Sequence, residues 1–235
     1  IIVENAAGFI EVIDPPHAPD ADPTVRWKFR GYAQPVWVTW KTGHAALPAV
    51  DLDDDGKKEI ICCDAGDEPH TTIYALRADG SIYWKSALAG LGPRLTESFR
   101  VGRFREEGWD ILMTIQASTQ PEMLCLDGRT GEVRWHKRLW KDDKGQTWPY
   151  PNQWACYDAD ADGYHEIYGS YAYIYYVLDG STGEPLRKPI NIWHEVFHRW
   201  QSYFTPISAD YNGDGQTEFL LASNSFAIGG LAVVT

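Results

Sequence analysis

Short apolar runs, each closed by a cluster of Gly, Asp, Asn or Pro, recur from one end of this chain to the other. They are too short for helices, and their β-branched and aromatic residues suit a pleated surface. The stretch from Leu47 to Lys85 shows the pattern in full. Leu47–Val50 predicts one strand, Glu59–Cys63 a second, Thr72–Arg77 a third and Ser81–Lys85 a fourth. An Asp-rich loop joins the first strand to the second, and an Asp-Gly turn joins the third to the fourth. Asp-Gly between two apolar runs signals a hairpin, because both residues tolerate the positive φ of a tight turn. Only the segment from Trp193 to Phe204, WHEVFHRWQSYF, reads as a short helix or lid.

The unit repeats. DLDDDGKKEI begins at Asp51, DADADGYHEI at Asp158 and DYNGDGQTEF at Asp210, each with oxygen-bearing side chains at loop positions 1, 3 and 5, Gly at 6 and Glu at 9. A degenerate copy, VGRFREEGWDILM, puts Gly102, Phe104, Glu106 and Asp110 at the equivalent places, which makes the spacings 51, 56 and 52 residues. The turn motif repeats in phase: LCLDGRTGE over Leu124–Glu132, YVLDGSTGE over Tyr176–Glu184 and the looser YALRADGSI over Tyr74–Ile82. Trp27, Trp84 and Trp135 close the strands in this series. Four antiparallel strands per unit of about 50 residues predict an all-β fold, a β-propeller of four-stranded blades, whereas a β-sandwich has no reason to repeat in phase. Residues 1–235 are expected to form one incomplete propeller: a partial blade over 1–30, blades over about 45–88, 98–138 and 152–188, and a partial blade over 203–235. Ile1–Val3 reads as a second strand and Leu231–Thr235 as a third, so the chain is expected to be a fragment of a larger propeller.

Composition narrows the function. The chain is 44% hydrophobic and carries a formal net charge of −12, from 21 basic and 33 acidic residues. That balance excludes a nucleic-acid partner, which needs a basic face. No run approaches the roughly 20 apolar residues of a membrane helix, so no membrane span is expected. Cys62, Cys63, Cys125 and Cys156 have no zinc-type spacing and read as buried strand thiols.

Much of the acidity sits in the three loops, where it fits a hard cation wanting six to eight oxygens. Calcium is the expected cofactor, at three structural sites. The first set is Asp51, Asp53, Asp55, the Lys57 carbonyl and Glu59; the second is Asp158, Asp160, Asp162, the Tyr164 carbonyl and Glu166; the third is Asp210, Asn212, Asp214, the Gln216 carbonyl and Glu218. An EF-hand would place its bidentate acid at position 12 on a helix. Here the acid falls at 9 and a strand follows.

These loops resemble the calcium loops of FG-GAP/VCBS-type propellers, the group that includes integrin α-subunit heads. LDGRTGEVRW resembles PQQ-like blade repeats. The resemblance implies that ligands meet the face opposite the calcium loops, where one blade's last strand leads into the next blade's first. Those connections read KTGHAALP, GPRLTESF, TWPYPNQW and WHEVFHRWQSYF. They bring Glu97, Trp148, Tyr150, Asn152, Gln153, Trp154, Trp200 and Gln201 forward as ligand-binding residues. Rhamnogalacturonan and ulvan lyases also use calcium-bearing propellers, so β-elimination on a uronic-acid polysaccharide is an alternative to plain binding. It needs a base beside the substrate carboxylate and a cation to stabilise the enolate. His44, His198 and Tyr203 are the candidate acid or base groups, with Arg94 and Arg199 as carboxylate partners. A more remote alternative is a quinone-dependent dehydrogenase, raised by the adjacent Cys62 and Cys63. His165 is expected to face solvent. The expected function is a calcium-stabilised module that binds a polysaccharide or protein ligand. Calcium availability implies an extracellular or periplasmic location.

Overall fold

The computed structural model describes residues 1–4, 7–16, 21–32, 48–64, 72–88, 99–116, 121–139, 154–171, 174–191, 207–213, 218–223 and 230–234. Among them there are strands and turns but no helix, and every strand pair is antiparallel.

The four predicted strands of the first full unit form as β4 (Ala49–Val50), β5 (Glu59–Asp64), β6 (Thr72–Leu76) and β7 (Ile82–Ala87). Before them lie β1 (Ile2–Glu4), β2 (Phe9–Asp14) and β3 (Thr24–Tyr32), which belong to the same seven-stranded sheet. The link is local: Gly31 and Tyr32 at the tail of β3 pair with Asp64 and Cys63, while β4 pairs with Glu59 and Ile60 lower on β5. The inner position beside β5 is therefore shared by two short segments.

The next two units form separate four-stranded sheets. One is β8 (Arg100–Arg105), β9 (Gly108–Gln116), β10 (Pro121–Asp127) and β11 (Val133–Arg138); the other is β12 (Trp154–Tyr157), β13 (Glu166–Tyr171), β14 (Ile174–Leu178) and β15 (Ile190–Asn191). A last sheet holds β16 (Ile207–Ala209), β17 (Glu218–Ser223) and β18 (Gly230–Val234). The hairpin of the last two strands of a unit carries the same register shift three times, at Val12/Ile13, Ala75/Leu76 and Cys125/Leu126, and the last two of these lead into an Asp-Gly turn.

The core lies between successive repeat units. One cluster joins Ile10 to Ile60, Cys62 and Leu76; a second joins Ile61, Cys63 and Ile73 to Ile111, Met113 and Leu124; a third joins Leu112, Met123 and Cys125 to Ile167, Tyr176 and Leu178. Side chains alternate along a strand, so Cys62 and Cys63 enter different clusters. Being buried on both faces also explains why the middle strands read as continuous apolar runs.

A tryptophan ties each repeat unit to the next. Trp27, Trp84 and Trp135 donate their indole N–H to the carbonyls of Ala78, Gly128 and Gly180, at 2.9, 2.7 and 3.0 Å. Each ring lies so close to a turn glycine that a Cβ there would come within 2.8 Å of Trp27 at Gly80, 2.6 Å of Trp84 at Gly131 and 2.9 Å of Trp135 at Gly183. Gly131 also has φ of 73°, which an L side chain adopts at a cost. Gly131→Ala is thus expected to lower unfolding free energy by about 2–5 kcal/mol, the sum of the backbone and overpacking costs. Denaturant melts would check this, and an unchanged midpoint would show that the ring can move aside.

Candidate metal loops and ligand face

One hydrogen bond is common to all three Asp loops. The Glu at position 9 accepts the N–H at position 2: Glu59 from Leu52 at 2.9 Å, Glu166 from Ala159 at 2.9 Å and Glu218 from Tyr211 at 2.8 Å. This bond ties the start of the loop to the first residue of the following strand. The Asp at position 1 accepts the N–H at position 6, from Gly56 to Asp51 and from Gly163 to Asp158, both at 2.9 Å. The chain can wrap this tightly because position 4 turns left-handed: Asp54 has φ of 61°, Ala161 59° and Gly213 77°. Ala161 is strained there, and Ala161→Gly is expected to stabilise the protein by roughly 1 kcal/mol or less after the entropy of Gly is discounted. A small rise in denaturation midpoint checks it.

The wrapped loops gather oxygens. Ligand atoms of Asp51, Asp53 and Glu59 lie within 4.8 Å of one another, as do those of Asp158, Asp160 and Asp162. In the third loop Asn212 Nδ2 donates to Glu218 Oε1 at 3.2 Å, while Asp214 and Gln216 lie outside the described residues. Glu59 is 1% exposed, and burial pushes its carboxyl above the usual range, with Asp53, Asp55 and Asp51 adding to the rise and the Leu52 N–H opposing it. Burial likewise raises Glu166, against the Ala159 N–H. Asp53 Oδ1 is buried with no hydrogen-bond partner, although Asp53 Oδ2 lies 3.6 Å from Arg77. A bare buried carboxylate oxygen is costly, and a cation would satisfy it. The all-oxygen donor set fits a hard cation such as calcium.

The candidate acid, base and carboxylate-binding groups His44, Arg94, His198, Arg199 and Tyr203 lie outside the described residues, as do Glu97, Trp148, Tyr150, Asn152, Gln153, Trp200 and Gln201. Trp154 is described: it is 3% exposed, packs in the third core cluster and lies 5.9 Å from the Tyr176 ring. Its carbonyl accepts a hydrogen bond from Arg100 Nε at 2.6 Å.

Two histidines take places that the sequence reading missed. His165 does not face solvent: its ring is half-buried, edge-on to Trp109 at 5.9 Å, and its backbone N–H donates to Arg103 O at 2.7 Å. The reason is the neighbouring sheet, which loop-by-loop reading leaves out. Desolvation lowers the His165 pKa, with Asp158 opposing. His136 Nε2 lies 2.6 Å from Glu122 Oε2, and Arg138 donates to the other oxygen of Glu122 at 3.0 Å. Alternation along β10 and β11 would have paired Glu122 with Arg138, which stand opposite each other.

No protein-family model matches the sequence, and no curated protein matches it. Solved structures do match its fold. The C-terminal domain of PilY1 from Pseudomonas aeruginosa is 13% identical with a TM-score of 0.61, over 96% of this chain and 52% of that one. A europium-containing methanol dehydrogenase is 15% identical with a TM-score of 0.57, over 94% and 45%. The exotype rhamnogalacturonan lyase YesX is 17% identical with a TM-score of 0.53, over 90% and 42%. The chain spans about half, or less, of each structure it matches. At such identities the likeness carries the fold alone, and that fold is the β-propeller of antiparallel blades that the repeat predicts.

Proposed function

We propose that this chain is part of a calcium-stabilised β-propeller of the FG-GAP/VCBS type, whose loops opposite the Asp loops bind a polysaccharide or protein ligand outside the cytoplasm. The observation that carries this reading is the same wrapped loop built at equivalent places in three of the four sheets, with oxygens gathered in two of them. Calcium would be held by the three sets of ligands named above and would supply a charge that fixes each loop; it would do no chemistry on the ligand. Binding falls to the connections that hold Glu97, Trp148, Tyr150, Asn152, Gln153, Trp200 and Gln201. The described residues contain no helix long and apolar enough to cross a membrane.

Calcium stoichiometry by equilibrium dialysis tests the first half: three ions per chain are expected, and none would end the reading. Binding to immobilised acidic and neutral polysaccharides tests the second. Trp148→Ala and Trp200→Ala are expected to weaken a polysaccharide complex by about tenfold each, the scale of one lost stacking contact.

A second reading, β-elimination on a uronic-acid polysaccharide, is favoured by the fold shared with rhamnogalacturonan lyases. His44 or His198 would remove the proton and Arg94 or Arg199 would hold the carboxylate. Formation of an unsaturated product that survives in wild type and is lost in His44→Ala or His198→Ala would establish it. A dehydrogenase reading gains nothing from Cys62 and Cys63, whose side chains enter different core clusters.

A further inference from the structure

The sheet β8–β11 lacks an Asp loop, and its charges are arranged differently from those of its neighbours. Asp110 takes the place held by Glu59 and Glu166 in the adjacent units and is 0% exposed. Only Glu106 and Glu107 separate β8 from β9, and Arg105 pairs with Gly108 across that hairpin. The two ligand positions that precede it became apolar together. Phe104 is 3% exposed in the third core cluster, and its ring lies where a Cβ on residue 102 would come within 2.3 Å, so Gly102 suits it.

Arg105 reaches into the space between the loop and the Asp-Gly turn. Its Nη2 lies 3.3 Å from Asp110 Oδ1 and also donates to Asp127 Oδ2, while Nη1 lies 3.6 Å from Glu107. Arg134 Nε stands 3.8 Å from the other oxygen of Asp110. The preceding unit has the same bridge with the charges exchanged: acidic Asp53 is on the loop and basic Arg77 is on the turn, 3.6 Å apart. An arginine thus bridges loop and turn in both sheets, but only Arg105 also meets the acid at position 9, Asp110, where the Asp loops would place the cation.

We propose that Arg105 is a built-in substitute for the cation of the Asp loops, which makes β8–β11 a cation-independent centre for two cation-dependent neighbours. The comparison rests on the cation reading given above. The packing gives the substitution a consequence, because the second and third core clusters both draw on this sheet, one on each face. Cation loss would loosen β5 and β13 while the sheet between them stays closed. The buried position of Asp110 makes the guanidinium necessary: burial pushes that carboxyl up, and Arg134 and Arg105 pull it back.

Hydrogen exchange on the whole chain, with calcium and with chelator, tests this. Chelation is expected to speed exchange in Glu59–Asp64 and Glu166–Tyr171 by about tenfold or more and to leave Gly108–Gln116 within about twofold. Arg105→Ala is expected to open Gly108–Gln116 in calcium and chelator alike, and Arg105→Ala with Asp110→Asn to restore most of the protection. If Arg105→Ala does not fold, recovery of folded protein in the double variant supports the proposal, and its failure to recover overturns it. Equal opening of Gly108–Gln116 by chelator, or a double variant no better than Arg105→Ala, also overturns it. If chelator opens none of the three strands, the cation reading itself falls and the substitution falls with it; the double-variant comparison then reads the Arg105–Asp110 pair alone.

Discussion

Chelating calcium is expected to lower the melting temperature of this protein by about 10–20 °C. A site held at a hundred times its dissociation constant adds about 2.7 kcal/mol to stability. Two loops already gather three ligand residues each within 4.8 Å, which gives roughly 5 kcal/mol for the pair. At about 2–4 °C per kcal/mol for a chain of this size, the shift follows. The physical source is the carboxylates themselves, which repel once the cation leaves, with buried Glu59 least able to recruit water. Glu59→Gln separates the site from general salt effects. The amide oxygen still accepts the Leu52 N–H, so the loop keeps its hydrogen bond and loses one charge. It is expected to remove one loop's share, about a third to a half, of the calcium-dependent rise and to leave the chelated protein nearly unchanged. Scanning calorimetry in chelator, with calcium titrated back, gives both numbers. A melting temperature that ignores calcium in wild type would sink the metal reading, and full calcium dependence in Glu59→Gln would move it elsewhere.

The sequence made the Asp loops and Asp-Gly turns legible because each is a local device. Asp, Gly and Glu at fixed offsets specify the left-handed turn at Asp54 and the bond from Glu59 to Leu52 with no help from other blades. β5, β6 and β7 were readable for the same reason, since apolar runs bounded by these turns have few alternatives. What stayed hidden depends on neighbouring sheets. Phe104 and Arg105 look like a decayed loop until Asp110 and Asp127 are seen to converge on the guanidinium. The partners of Trp84 and Trp135 lie 44 and 45 residues away in sequence. A tryptophan and a turn glycine recurring in phase were a usable signal, but the repeat was read along each unit and not between units. The ligand face has no such local device, because it is assembled from connections of several blades with no fixed spacing.

Replacing Trp84 by Ala is expected to cost about 3–5 kcal/mol, the usual loss for a large buried aromatic. Three contributions act together: the ring is 8% exposed, its N–H bonds to Gly128 O at 2.7 Å, and its face closes on Gly131. Because ring and turn belong to different sheets, the loss falls on the contact between β4–β7 and β8–β11. Trp84→Phe keeps an aromatic face over Gly131 and removes the donor, so the buried carbonyl loses a partner at a cost of about 1–2 kcal/mol beyond the lost area. Trp135→Ala should match Trp84→Ala, since Trp135 is equally buried and bonds to Gly180 O at 3.0 Å. Trp27 makes the same bond at 2.9 Å from a more exposed position, so Trp27→Ala should cost clearly less. Denaturant unfolding of the four variants gives the order: Trp84→Ala and Trp135→Ala lowest, then Trp84→Phe and Trp27→Ala. If Trp27→Ala proved as damaging as Trp84→Ala, buried area would not be what holds the sheets together. If Trp84→Phe equalled Trp84→Ala, the indole N–H would carry the contact and the ring would add little.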